Sequence, residues 1–180
     1  MPENPSQPEN PPTSQTLPDA EILFQQLAEK LKPLISADTA LVGIHSGGAW
    51  LVERLLPLLG ANLPHGILDV SFYRDDFASR GLHKENRPSQ IPFAVQGHHI
   101  LLIDDVFYTG RTIRAAMNEL FDYGRPASIT LAVLVNRSGR ELPIAPQIAA
   151  LEFPLVSTQN LQLLRHEDGR FYLRLEQEVA

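Results

Sequence analysis

The run Ile100-Leu101-Leu102-Ile103-Asp104-Asp105, continued by Val106-Phe107-Tyr108-Thr109-Gly110-Arg111-Thr112, restricts what this chain can fold into more than any other stretch. Four consecutive apolar residues, two of them β-branched, read as a strand buried on both faces, the kind found in the middle of a parallel sheet. The two aspartates end it. From Arg111 to Tyr123, Ile113, Met117, Leu120 and Phe121 recur at helical spacing. The unit is strand, acidic pair, small-residue loop, helix, and its loop lies at the carboxyl end of a strand, where open α/β sheets bind ligands. Gly110 allows close approach to the backbone, the helix start offers N–H groups, and Thr109 and Thr112 add hydroxyls, which together make a cradle for a phosphate. Ionised, Asp104 and Asp105 can only accept hydrogen bonds and would suit vicinal sugar hydroxyls. Alone, an Asp-Asp pair is a solvated strand end and Thr109 an ordinary helix cap. Their order along one strand-to-helix unit is what points to a nucleotide-type site. A Walker loop is excluded because no Gly-Lys-Ser/Thr follows a spaced glycine, and a Rossmann fingerprint lacks its second and third glycines.

The rest of the chain repeats the same alternation. Residues Met1 to Pro18 are rich in Pro, Asn, Gln and Ser, with Leu17 as the only sizeable aliphatic besides the initiator, and read as a disordered tail before one domain over residues 19–180. Ile22, Leu23, Leu27, Leu31 and Leu34 keep helical spacing behind a capping Asp19, with Pro33 near the end. Leu41 to Ile44 reads as a short buried strand, His45-Ser46-Gly47-Gly48 as a glycine-rich loop, and Ala49 to Leu59 as a helix. Ile67 to Tyr73 alternates as a strand. Arg74-Asp75-Asp76 then opens a polar segment through Arg80, Lys84, Arg87 and Pro88 to Gln90, of a length that inside a compact domain signals a lid or a disordered loop. Gly124 and Pro126 end the helix, and Ser128 to Val135 is a further central strand with Asn136 and Arg137 at its carboxyl end. Arg140 to Ile144 is a turn. Gln147 to Phe153 and Arg170 to Leu175 read as two strands separated by a turn at Asp168-Gly169.

Composition narrows the chemistry. The chain has 180 residues, enough for one domain with a core of its own, and 43% of them are hydrophobic. The absence of cysteine excludes disulfides and thiolate metal sites. No apolar run approaches the ~20 residues that cross a membrane, so a soluble cytoplasmic protein is expected. A formal charge of −6 argues against broad nucleic-acid affinity, which Lys and Arg carry, while leaving room for a local basic patch. The six histidines, including His98-His99, lack zinc spacing with partners, so no protein-held metal is expected.

The segment from Asp104 to Thr112 resembles the phosphoribosyl-pyrophosphate (PRPP) signature of the type I phosphoribosyltransferases. Tyr73-Arg74-Asp75-Asp76, Gly124-Arg125-Pro126, Leu131 to Val135 and Arg140-Glu141-Leu142-Pro143-Ile144 stand in the order seen in the PyrR proteins. Those are uracil phosphoribosyltransferases, some of which also regulate pyrimidine operons by binding messenger RNA. The resemblance spans about Leu41 to Ile144. It implies an α/β domain with a mostly parallel central sheet flanked by helices, a flexible flap over about residues 74–97, and a small C-terminal hood above the base. It implies the glycosyl transfer uracil + PRPP → UMP + pyrophosphate, with Mg²⁺ bound mainly through PRPP, a possible mRNA-leader partner and a homo-oligomer. By the same resemblance, Asp104 and Asp105 hold the ribose, Val106 to Thr112 the 5-phosphate, His45 to Gly48 the pyrophosphate, Arg137 the uracil side, and Arg74 reaches the leaving group from the flap. The chain departs from the PyrR pattern in carrying Ser46-Gly47-Gly48 for Thr-Arg-Gly and Asn136 for Asp, so a guanidinium is lost from one loop and a carboxylate from the other. Positions flanking Arg140 and along the first helix, Gln25, Gln26 and Glu29, lack the basic or histidine residues of RNA-binding members.

Overall fold

In a computed structural model the described residues are 16–70 and 88–177. The carboxylate of Asp19 accepts from the Glu21 N–H at 2.8 Å and so caps helix α1, Ala20–Leu31, as the sequence predicts. The helix stops at Leu31 and continues as a 3₁₀ turn, Lys32–Leu34, because Pro33 has no N–H to extend the α-helical pattern. Strand β1, Thr39–Ile44, leads into α2, Gly47–Leu59, and then β2, His65–Leu68. Strand β3, His99–Phe107, is followed by α3, Arg111–Asp122, and by β4, Ser128–Asn136. The chain ends with β5, Ile148–Glu152, and with β6, Gln159–Arg165, and β7, Phe171–Gln177. The first five strands form one parallel sheet in the order β2-β1-β3-β4-β5, and β6 and β7 pair as a separate antiparallel hairpin.

Strand alternation decides which helix each side chain meets. Leu41, Leu101 and Ile103 turn to the face covered by α1, α2 and the hairpin, whereas Val42, Ile44, Ile100 and Leu102 turn to the face covered by α3. Both faces are filled, which is why the central strands are continuously apolar. The order of strands places β1 beside β3, and α2 and α3 leave those two strands on opposite faces. The crevice between their carboxyl ends is the topological switch point of the sheet.

Several sequence expectations are corrected here. The aspartates do not end β3: the strand runs on to Phe107 because β4 supplies register partners as far as Asn136. Gly47 and Gly48 belong to the first turn of α2 rather than to a loop. Ile22, Leu34 and Phe121, counted among the buried positions by spacing, are 58%, 41% and 52% exposed, and Ala20, Phe24, Ala28 and Ala116 pack in the core. Of the two C-terminal strands, the first joins the parallel sheet as β5. The turn at Asp168-Gly169 instead connects β6, which the sequence reading lacked, to β7. The strand expected over Ile67 to Tyr73 starts earlier, as His65–Leu68, and residues 71–73 of the expected strand lie outside the described residues.

Residues 74–87 of the expected flap, Arg74 among them, lie outside the described residues. Its remaining part packs on the domain: Gln90 exchanges hydrogen bonds with Ile67, and Val95 is fully buried. Residues 1–15 of the expected tail also lie outside, while Leu17 packs against the α1 cluster. Deleting Met1 to Thr16 leaves that side chain and every core residue in place. A melting temperature within about 2 °C of the full chain is expected, and a larger drop in a thermal scan would show that the removed segment stabilises the domain.

Candidate active site

Both segments expected to cradle phosphates meet at the carboxyl end of β3. Gly110 adopts φ 94° and ψ −6°, a left-handed conformation that admits few side chains, and acts as the N-cap of α3. The Thr109 hydroxyl accepts from the Arg111 N–H at 3.2 Å, and the Thr109 carbonyl accepts from the N–H groups of Glu141 and Leu142 at 3.0 and 3.2 Å. The cradle is therefore braced from below by the 140–144 turn. Leu142 and Ile144 lie over Gly110, and Arg111 reaches across to Glu141 with two nitrogens, Nε at 3.1 Å and a terminal nitrogen at 2.5 Å. The first N–H groups of α3 have no partner within the helix and carry its partial positive charge, which favours a phosphate at this position.

The second segment comes from β1. Gly47 and Gly48 allow the start of α2 to press on β3. A Cβ on Gly47 would run into the carboxylate of Asp105, and one on Gly48 into the carbonyl oxygen of Ile103 and the Asp104 Cα. A Cβ on Gly43 would in turn lie 2.6 Å from the Gly48 carbonyl oxygen. The His45–Ser46 peptide is cis, and the Ser46 hydroxyl lies 2.9 Å from His45 Nδ1. The loop that the sequence assigns to pyrophosphate is thus in contact with one of the two aspartates assigned to the ribose.

Those aspartates differ. Asp104 is 4% exposed and its Oδ1 accepts from the Asp105 N–H at 3.0 Å, whereas Asp105 is half-buried beside Gly47. Of the residues expected to hold the 5-phosphate, Phe107 packs in the α3 core and Val106 packs against the α1 cluster, so they can offer a ligand only backbone groups. Tyr108 is enclosed: the Arg137 guanidinium sits 3.8 Å from its ring centroid, and a Cβ on Gly139 would strike the ring. Thr109 is buried, while Arg111 and Thr112 are accessible at the helix start.

Arg137 is 5% exposed. Besides stacking on Tyr108, it donates to the carbonyls of Gln159 and Val156 at 2.7 and 3.1 Å, fixing the entry to the hairpin relative to the cradle. Nothing in the local sequence announces these contacts, since they join residues about 20 positions apart through backbone carbonyls. Arg74 lies outside the described residues. Among the described residues, no group of three or more His, Asp or Glu side chains is placed to hold a metal ion. One or two carboxylates beside a phosphate-rich ligand is the donor set Mg²⁺ accepts, and the carboxylates that stand here are those of Asp104 and Asp105.

The phosphoribosyl transferase domain family matches residues 14–151. The bifunctional protein PyrR of Pseudomonas fluorescens is 48% identical over 152 residues, covering 82% of this chain and 90% of the relative. This chain belongs to the PyrR family of phosphoribosyltransferases. The bifunctional protein PyrR of Nitrosococcus oceani is similar as well, 49% identical over 161 residues, with 86% of this chain and 90% of the relative covered. Among solved structures, a hypoxanthine-guanine phosphoribosyltransferase from Bacillus anthracis superposes with a TM-score of 0.61 at 14% identity, covering 78% of this chain and 84% of the other. A hypoxanthine phosphoribosyltransferase from Staphylococcus aureus gives 0.60 at 20% identity, with 78% of each chain covered. At such identities the superpositions establish the shared fold alone. The parallel sheet flanked by helices is the type I phosphoribosyltransferase fold, and no helix among the described residues is long and apolar enough to cross a membrane.

Proposed function

We propose that this chain is a pyrimidine-nucleotide sensor of the PyrR kind, which binds UMP at the β3–α3 cradle and in that state acts on an mRNA leader to control pyrimidine gene expression. Uracil phosphoribosyl transfer from PRPP is proposed as the second activity of the same pocket. The observation that carries the reading is the joined pair of loops: a helix-start phosphate cradle with Gly110 as its N-cap, and Asp105 held between it and the start of α2. Such a site fits a ribose 5-phosphate. The curated relatives are themselves named bifunctional. Sensing comes first because the missing guanidinium in Ser46-Gly47-Gly48 weakens the hold on a pyrophosphate, which PRPP has and UMP lacks. With a net charge of −6, RNA contact must be local, so a shallow salt dependence of RNA binding is expected.

In the transfer reaction, uracil N1 forms a bond to C1′ of the ribose as the C1′–O bond to pyrophosphate breaks, and the N1 proton is released. Positive charge develops on the ribose during that step. The carboxylates of Asp104 and Asp105 favour it electrostatically and hold the hydroxyls, while the cradle fixes the 5-phosphate, so the protein contributes by position and charge. Mg²⁺, bound through PRPP, would neutralise pyrophosphate charge. Asp105→Asn keeps the shape of the side chain and removes its charge. Turnover is expected to fall about tenfold or more with an unchanged melting temperature. Unchanged turnover with uracil would remove Asp105 from the reaction.

The deciding experiment measures UMP binding by calorimetry alongside UMP formation from uracil and PRPP with Mg²⁺, with hypoxanthine and guanine as parallel substrates. UMP binding without turnover supports the sensor alone, and uracil-specific turnover supports both activities. Turnover with a purine base and no UMP binding would refute the pyrimidine reading.

A further inference from the structure

We infer that Asn136 and Glu152 read the pyrimidine ring together, Glu152 serving as a positioning residue that fixes the orientation of the Asn136 amide. The inference deepens the pyrimidine-nucleotide reading above and rests on it. Strands β4 and β5 run parallel with Asn136 and Glu152 as register partners, so the two residues stand side by side at the carboxyl edge of the sheet. Asn136 Nδ2 donates to Glu152 Oε1 at 3.0 Å. A carboxylate only accepts, so the NH₂ end of the amide must face it, and the amide cannot flip without losing the bond. Among the described residues Glu152 is the one bonded to this side chain, which leaves Oδ1 and the second amide hydrogen for a ligand. They form one acceptor and one donor in a set order. Uracil presents the matching edge, the N3–H donor beside the O4 acceptor. Cytosine reverses both groups and meets the pair donor to donor and acceptor to acceptor.

The contacts of the neighbouring backbone and of Arg137 set the carboxyl end of β4, which carries the pair, between the β3–α3 cradle and the hairpin. Asn136 is the register partner of Phe107, two residues before Thr109. The next residue, Arg137, bonds the Phe107 carbonyl through its N–H at 3.0 Å and holds the Val156 and Gln159 carbonyls through its guanidinium. The Asn136 carbonyl accepts from the Phe153 N–H at 2.9 Å, which ties the chain leaving β5 to the end of β4. Position 136 itself carries no carboxylate, and Glu152 brings one in from the adjacent strand. Neither strand shows this in isolation, because the partners are 16 residues apart.

The test is a set of calorimetric titrations of the full chain with UMP, CMP and ribose 5-phosphate. The variants are Asn136→Asp, Glu152→Ala and the double variant Asn136→Asp/Glu152→Gln. Asn136→Asp sets two carboxylates side by side, and Glu152→Ala frees the amide to flip. Each is expected to reduce the preference for UMP over CMP by about tenfold while ribose 5-phosphate affinity stays within about twofold. The double variant rebuilds the amide–carboxylate bond with its ends exchanged and is expected to regain at least about threefold in UMP affinity over Asn136→Asp. An unaltered UMP-to-CMP ratio in both single variants overturns the inference, and so does an equal loss of ribose 5-phosphate affinity. Wild-type protein that binds ribose 5-phosphate but does not prefer UMP overturns it and leaves the phosphate cradle standing. Wild-type protein that binds neither refutes the underlying reading as well.

Discussion

Gly48→Ala is expected to destabilise the domain by about 2–3 kcal/mol and to abolish measurable UMP binding, while Gly47→Ala is expected to cost less stability, about 1 kcal/mol, and to weaken UMP binding about tenfold or more. The difference comes from what each new Cβ would meet. At position 48 it would collide with backbone, the Ile103 carbonyl oxygen and the Asp104 Cα, in the central strand of the sheet. Neither atom can move without breaking the register of β3 with β1 and β4, so α2 must withdraw from the sheet. At position 47 the obstacle is the Asp105 side chain: its carboxylate can rotate aside, but its Cβ would lie 2.7 Å from the new one and is fixed by the backbone, so α2 must also give slightly. More of the stability is then kept than at position 48, and the carboxylate proposed to hold the ribose is displaced, with an expected loss of about tenfold or more in UMP affinity. Chemical denaturation and UMP titration of both variants check this. Equal stability losses would mean that Asp105 is as immovable as the backbone, and a Gly47→Ala protein with wild-type affinity would separate Asp105 from the ligand.

Arg54→Ala is expected to cost about 2–3 kcal/mol although the residue is far from the phosphate cradle in sequence and function. The guanidinium makes a two-pronged bond with Glu21, at 2.6 and 2.8 Å, and lies 4.5 and 4.4 Å from the ring centroids of Phe24 and Phe171. Glu21 also accepts from the Phe171 N–H at 2.6 Å. One ion pair thereby joins α1, α2 and β7, and both side chains are about three-quarters hidden from water. Removing the arginine leaves an uncompensated carboxylate between the helices and a gap between two aromatic rings, which is why the loss exceeds that of a surface pair. The bond to Arg54, acting against desolvation by burial, holds the Glu21 carboxyl below its ordinary value of 4.5. A depressed folded-state pKa gives stability that is present above the unfolded value and is lost as pH falls through the folded one. The stability gap between wild type and Glu21→Gln should therefore be constant above about pH 5 and narrow as the pH drops below 4.5. Melting curves at pH 7, 5, 4 and 3 would measure it, and a gap that widens on acidification would contradict the assignment.

The local pattern carried the centre of this molecule. Ile100 to Thr112 determined a buried strand, an acidic pair and a helix-start cradle, because burial on both faces, Asp chemistry and the freedom of Gly110 all act over a few residues. The parallel sheet followed from the spacing of such units, and Asp19 marked its helix by a short-range hydrogen bond. What depends on distant partners was not legible. The aspartates lie within β3 because β4 pairs that far, and Gln147 to Phe153 enters the sheet because β4 presents an edge to Ile148. The hairpin strand β6 has two buried leucines, Leu161 and Leu163, at the alternation of a strand, but their short signal acquires meaning only against Phe171 and Leu173 of β7 and the helices beneath. The same holds for the side-chain bonds. Arg54 reads as one charge on an amphipathic helix, Arg137 as a residue beside a ligand, and Glu152 as an exposed strand end. Tertiary structure sets the first between two phenylalanines, the second on Tyr108 and two carbonyls, and the third on Asn136. Sequence alone determined which segments could bury their surface and where the backbone could open to a phosphate, since those properties are local. Only the packed structure decided which polar groups meet, because a hydrogen bond is set by the few ångströms between two atoms and not by the number of residues that separate them.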